Sequence, residues 1–353
     1  MAQSVRELGP DAGASQPRFI PLEDSQAAFS VPGKVMLSGE YAVLEGGPCL
    51  AITVTPRLRT KVTARAHGFT VISSHWPDAV TFTDRPRVGD DRQVLCDTVW
   101  QCAQRWQVSG ALVSVSSDLD PRHGVGTSSA LRLSLALAFG TLADKLSEQA
   151  RLEEARFAWS LQQQDQALAS GYDILTQLLG GLVAYQPQPP WPGPLVRSTA
   201  AAGASSFHFF VGGRGSPTGP IARATHEWLG RKSLWPELLQ LTNAFQGAMQ
   251  RAFCEGDLAP ELFAMMGEHR AIFRGSPADV PAWHEVLAKL PGCDQRWSYK
   301  TTGAGGEDAL LVIAREEELV ALRQGLARIG LRPYPGAFTS AGAQEISVEG
   351  DLS

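Results

Sequence analysis

Pro121-Arg122-His123-Gly124-Val125-Gly126-Thr127-Ser128-Ser129-Ala130-Leu131-Arg132-Leu133 reads as a tight loop feeding a helix. Gly124 and Gly126 take backbone angles that other residues resist, and Thr127, Ser128 and Ser129 are good caps for the helix that follows. The first turn of a helix carries unpaired N–H groups and the positive end of its dipole, so an anion fits there. A plain glycine-rich turn with a serine cap satisfies the same pattern, and the loop alone leaves both readings open.

Downstream, Leu131, Leu133, Leu135, Leu137, Phe139 and Leu142, with alanines between, cover most of a helix surface. A helix apolar nearly all round belongs in a core, which holds its N-terminus rigidly. Upstream, Ala111 to Ser116 reads as a strand leading through Asp118 and Asp120 into the loop.

Farther upstream, Ala27 to Ser38 reads as two short strands interrupted at Pro32 and Gly33, with Lys34 just past the break. A lysine beside a turn is ordinarily solvated unless an anion lies opposite it. Cys49 to Val54 is an apolar strand, and Arg57, Arg59, Lys61 and Arg65 then alternate along a half-exposed strand with a solvated basic face.

Past the buried helix, Arg151 to Ala169 is helical, and Ser170-Gly171-Tyr172-Asp173 opens another helix, where Asp173 is at minimum a first-turn acid. Gln186 to Gly203 is rich in proline and small residues and marks a domain boundary. The organisation expected is a loose N-terminal tail over 1–26, an N-terminal domain over 27–190 and a C-terminal α+β domain over 204–350. In the latter, a strand over Phe207 to Val211 and a flexible loop over Gly212 to Gly219 precede helices at Pro236 to Phe253, Pro260 to Phe273 and Ala282 to Leu290. Strand Ala309 to Ala314, helix Glu316 to Ile329 and a last strand near Ile346 follow.

The chain has 353 residues, 44% hydrophobic and 19% charged, the profile of a globular protein with room for about two domains. A net charge of -5 argues against a general nucleic-acid binder, and no apolar run approaches the roughly 18 residues of a spanning helix. The five cysteines are scattered without CxxC spacing, so neither a disulfide frame nor a zinc site is expected, and a reducing cytoplasm fits best.

Taken together, the segment from Ser30-Val31-Pro32-Gly33-Lys34 through Gly39-Glu40-Tyr41-Ala42-Val43-Leu44-Glu45-Gly46, the loop Gly124 to Ala130, Ser170 to Asp173 and Thr302 to Asp308 resemble the motifs of the GHMP kinase superfamily. These are small-molecule kinases of the galactokinase and mevalonate-kinase type, and the match runs from about residue 28 nearly to the C-terminus. The resemblance implies a two-domain α+β architecture that uses ATP and Mg2+. Gly124, Val125, Gly126, Thr127, Ser128 and Ser129 would hold the ATP phosphates, with Ser128 on the serine that helps bind Mg2+.

On the same grounds Asp173 falls on the catalytic aspartate and Lys34 on its lysine partner. Glu40, Tyr41, Ser170, Gly171 and Thr302-Gly303-Ala304-Gly305-Gly306 fall on the acceptor side. Thr127 and Ser129 depart mildly from the usual loop, and Ala167 and Ala169 replace glycines common in the family. Gln162 stands where mevalonate kinases place a metal-binding glutamate, and Tyr41, Gln166 and Asp308 resemble the phosphomevalonate kinases of the superfamily. The resemblance therefore implies phosphomevalonate as acceptor. Mevalonate as acceptor, a sugar as acceptor and a non-catalytic ligand-binding regulator on the same fold are the alternatives, in a monomer or homodimer.

A phosphorylated acceptor beside ATP asks for extra cations, and Arg57, Arg59, Arg122, His123, Arg214 and Lys300 are the candidates.

Overall fold

The computed structural model describes residues 24–348, apart from 91, 144, 145, 167, 213, 214, 216 and 217, and at 218 the backbone only. The tail expected over 1–23, Ala167, Arg214 and the far end of the C-terminal segment at 350 lie outside the described residues.

A large sheet and a small one carry the chain. The large sheet contains β1 (Gln26–Ser38), β2 (Cys49–Ala64), β3 (Gly68–Ser73), β4 (Val80–Phe82), β5 (Gly110–Ser117), β6 (Leu182–Tyr185) and β7 (Leu195–Ser198). The small sheet contains β8 (Phe207–Val211), β9 (Ser298–Thr301), β10 (Ala309–Ile313) and β11 (Arg332–Pro333), in the order β11-β8-β10-β9. The last strand, β12 (Gln344–Glu345), returns to the large sheet and gives the order β12-β1-β2-β5-β3-β4, with β6 pairing β2 and β7. The helices are α1 (Gln93–Trp106), α2 (Thr127–Ala143), α3 (Glu148–Asp165), α4 (Tyr172–Leu179), α5 (Thr218–Arg231), α6 (Trp235–Glu255), α7 (Pro260–Phe273), α8 (Pro281–Leu287) and α9 (Glu316–Arg328).

The segment expected to form two strands around Pro32 is one strand with register shifts at Pro32/Gly33 and at Met36/Ser38. Pro32 has no N–H to give the ladder, and a bulge absorbs that loss without ending the strand. Just past the shift, the Lys34 N–H donates to the Val125 carbonyl at 2.9 Å, which ties β1 to the glycine loop.

The proline-rich stretch over 186–203 carries β7, whose residues Leu195 to Ser198 pair with β6, before the chain crosses to the small sheet at β8. Part of the loop expected over Gly212 to Gly219 is the start of α5.

α2 is buried along nearly its whole length, as its all-round apolar sequence requires. It packs on β1 and β2 and between α1 and α3. Its leucines join a core cluster that also takes in Phe245, Phe253, Leu262 and Phe263 from α6 and α7 and Leu311 from β10. A separate cluster under the small sheet packs Phe210, Trp283, Trp297, Tyr299 and Leu322. Because α2 is locked into the main core, its N-terminus is a fixed point at the mouth of the large sheet.

Candidate active site

The glycine loop begins with a short turn, Pro121–His123, capped by Asp120, whose carboxylate accepts from the Arg122 N–H at 2.9 Å. Gly124 and Gly126 then adopt φ of 64° and 80°, and α2 starts at Thr127. Gly126 has no room for a side chain: a Cβ there would meet Lys34 Cε at 2.9 Å and Gln177 Nε2 at 3.0 Å. Ser129 Oγ donates to the Gly126 carbonyl at 2.9 Å and closes the turn. Thr127 Oγ1 is buried and has no hydrogen-bond partner among the described residues.

Asp173 sits in the first turn of α4, after Gly171 at φ 80°. Its Oδ1 accepts from the Ile174 N–H at 3.0 Å and its Oδ2 from Gln162 Nε2 at 2.9 Å. The Lys34 ammonium donates to the Gly124 carbonyl at 3.1 Å and to the Tyr172 hydroxyl at 3.0 Å rather than to Asp173. Burial lowers the Lys34 pKa below its ordinary 10.5, against the opposing pull of Asp173, Asp308 and Glu40. The two residues therefore communicate through their charges across a low-dielectric site.

From the other side, Tyr41 Oη donates to the Ala304 carbonyl at 2.7 Å and Thr302 Oγ1 to the Met36 carbonyl at 2.7 Å, which docks the third glycine turn on β1 and the segment after it. Lys34, Glu40, Tyr41, Gly124, Gly126, Thr127, Ser128, Ser129, Ser170, Asp173, Thr302, Gly303 and Ala304 line one cavity of about 230 Å³. Val125, Gly171, Gly305 and Gly306 stand behind its wall. Val125 holds β1 through its carbonyl, Gly171 packs on Trp159, and Gly305 and Gly306 sit against Ala278.

No family model matches the chain. Over 174 residues, 45% of its length, it is 26% identical to the mevalonate kinase of Aeropyrum pernix, of which it covers 50%. The chain thus spans about half the length of the curated relatives it matches. Among solved structures, a Listeria innocua protein superposes with a TM-score of 0.73 at 18% identity, covering 92% of this chain and 100% of that one. The phosphomevalonate kinase of Streptococcus pneumoniae, in complex with phosphomevalonate and AMPPNP, gives 0.69 at 14% identity, covering 88% and 99%. The chain shares its fold with these structures.

Arg214 aside, which lies outside the described residues, the basic candidates for this cavity are committed elsewhere. Arg57 donates to Ser30 Oγ at 2.7 Å and to the Ser30 and Gly342 carbonyls at 2.8 and 2.7 Å, a clamp across the sheet edge where a solvated strand face is expected. Arg59 pairs with Asp118 and Arg122 with Asp120 at the surface. His123 is buried edge-on against Tyr334. Among the described lining residues, Lys34 is the single cation.

Lys300 lies one shell behind the cavity, paired with Glu40; both side chains are buried, and His269 Nε2 stands 3.4 Å from the other Glu40 oxygen. Burial alone would raise the Glu40 carboxyl, but Lys300 and His269 outweigh it and hold the pKa at about 2. Lys300→Met removes the main counter-charge of a buried carboxylate and is expected to cost about 3–5 kcal/mol, read as a lower urea midpoint. The folded pKa lies below the ordinary 4.5, so this stabilisation is present above that pH and is lost as pH falls toward 2. The gap between wild type and variant closes across that window, and equal midpoints at pH 7 would contradict the assignment.

The site residues that the sequence reading left without a role are Tyr172, Gln177 and Arg132. Gln177 Nε2 bridges the Pro32 and Gly126 carbonyls at 3.0 and 2.9 Å, and Arg132 lies beneath Ser128. A single arginine inside an otherwise apolar helical run was the available signal for the last.

Proposed function

We propose that this cavity transfers the γ-phosphoryl group of ATP to phosphomevalonate, giving diphosphomevalonate and ADP. The observation that carries the reading is convergence. The N-terminus of the buried α2, the Lys34 ammonium and the Asp173 carboxylate come from separate parts of the chain and face one cavity. Phosphoryl transfer asks mainly for positioning and charge neutralisation, which this set supplies.

The α2 N-terminus and glycine loop bind the ATP phosphates, and Thr127 Oγ1, buried without a partner among the described residues, is placed to join them. Lys34 neutralises charge at the transferring group. A phosphate acceptor, with a second pKa of about 6, is largely ionised near neutrality, so Asp173 mainly orients it and takes a residual proton. Gln162 contributes by what it is not: its neutral amide donates to Asp173 Oδ2, where a glutamate would place a second carboxylate beside the first.

The donor set also fits Mg2+, a hard cation that takes oxygen ligands in company with substrate phosphates. Gln162 Oε1 is buried without a partner among the described residues and lines the cavity near Asp173, so these two would hold the ion with the nucleotide. When bound, Mg2+ supplies neutralisation of the phosphate charge.

A second reading, mevalonate as acceptor, is favoured by Lys34 being the single cation among the described lining residues and by the curated relatives named mevalonate kinase. A coupled ADP-release assay with mevalonate, phosphomevalonate, diphosphomevalonate and galactose separates the readings. Release that requires phosphomevalonate is the expected result. Release with mevalonate and none with phosphomevalonate transfers the assignment to the second reading, and tight binding of ATP and acceptor without product points to a regulator.

A further inference from the structure

Arg132 is the only charged residue in α2, and its side chain is 2% exposed. Such a residue is expensive to bury unless its donors are all employed. One terminal nitrogen donates to the Ser128 carbonyl at 3.3 Å and, at closer range, to Ser128 Oγ; the other pairs with Asp165. Asp165 is the last residue of α3, where a carboxylate faces the negative end of the helix dipole. Two locally unfavourable placements are thus kept in contact, and what they hold is the hydroxyl of Ser128 in the cavity wall.

A guanidinium has donors only, so its bond to Ser128 Oγ occupies a lone pair and cannot consume the serine proton. That proton is left to donate into the cavity. A dication on the same oxygen would stand next to the guanidinium, in a wall where like charges repel strongly. Oxygen without a partner lies elsewhere in the wall: Gln162, itself 7% exposed, leaves Oε1 unmatched among the described residues.

We propose that Arg132, held by Asp165, is a positioning residue that commits the Ser128 hydroxyl to donating a hydrogen bond to a nucleotide phosphate, in place of a role as metal ligand. The proposal rests on the kinase reading above. It also gives the Arg132–Asp165 pair a second effect, because the segment following α3 supplies Gln166, Leu168, Ala169 and Ser170 to the cavity wall. The pair therefore ties the phosphate loop to the end of α3, from which that segment departs.

The test is calorimetric titration of the full chain with AMPPNP, once with excess Mg2+ and once with EDTA. Ser128→Ala and Arg132→Met are each expected to weaken binding about tenfold under both conditions, the size of one charge-assisted hydrogen bond. Arg132→Lys is expected to recover part of the loss. A loss in Ser128→Ala that appears only with Mg2+ would make the serine a metal ligand and overturn the proposal, as would wild-type affinity in Arg132→Met. Should Arg132→Met fail to fold, Asp165→Asn carries the test: a smaller loss under both conditions supports the proposal, and unchanged affinity overturns it. Wild type that binds no AMPPNP overturns the kinase reading itself, a result distinct from variants that bind as wild type does.

Discussion

Asp173→Asn is expected to lower kcat by about 10²–10⁴, the range for a positioned proton acceptor, while nucleotide affinity measured in EDTA and the circular dichroism spectrum stay as in wild type. Asparagine keeps one oxygen, which serves the Gln162 amide that donates to Oδ2 at 2.9 Å, and gives up the acceptor of the Ile174 N–H bond at 3.0 Å, so the buried Gln162 donor stays paired. What also disappears is the charge and the basicity. Asp173→Ala is the harsher variant, because it strands the buried Gln162 donor at a cost of about 1–3 kcal/mol. The loss depends on the acceptor: a phosphate that is already ionised suffers less than an alcohol, whose proton must be taken in the transition state. The size of the Asp173→Asn effect on each acceptor therefore reports the chemistry at the acceptor oxygen. A kcat within about threefold of wild type on every acceptor would remove Asp173 from the mechanism.

Lys34→Met is expected to lower kcat by about 10²–10³, the effect of losing one preorganised charge at the reacting centre. Methionine fills the channel of the lysine stem, whose side chain is buried, so the loss is of charge more than of packing. In wild type the ammonium is held by the Gly124 carbonyl and the Tyr172 hydroxyl and makes no direct ion pair with a carboxylate among the described residues. Its pKa is lowered by burial, so activity that needs the charged form declines on the alkaline side at a pH below the ordinary 10.5. That alkaline limb is expected to be absent from the residual activity of Lys34→Met. A variant that keeps both the wild-type rate and the wild-type pH profile would contradict the role.

The parts of the fold and site that were legible in the sequence are those whose cause is local. Gly124 and Gly126 announce a loop, and the unbroken apolar surface from Leu131 to Leu142 announces a buried helix; the hydroxyls expected as caps fall inside the first turn of α2, where Ser129 Oγ donates to the Gly126 carbonyl. The start of α4 at Tyr172 follows from the Ser170-Gly171 pair in the same way. Pro32 misled the reading because a proline ends a regular strand, and only the partner strand shows that a register shift absorbs it. The long-range pairs had no local signature at all. Lys300 and Glu40 lie 260 residues apart, and nothing in the alternation of Arg57 with Leu58 says that its guanidinium reaches the Gly342 carbonyl. For the same reason, Arg57, Arg59, Arg122, His123 and Lys300, nominated for an acceptor phosphate, proved to be committed to neighbours that only the folded chain reveals.

The central claim, that the cavity at the start of α2 moves a phosphoryl group from ATP to a mevalonate-type acceptor, is tested most directly by phosphorus NMR of the full chain with ATP, Mg2+ and phosphomevalonate. The expected spectrum shows the acceptor monophosphate signal replaced by the coupled pair of a diphosphate, at the same rate as ATP is replaced by ADP and only in the presence of the chain. An acceptor signal that persists unchanged with this acceptor and with mevalonate, while ATP stays intact, would contradict the account.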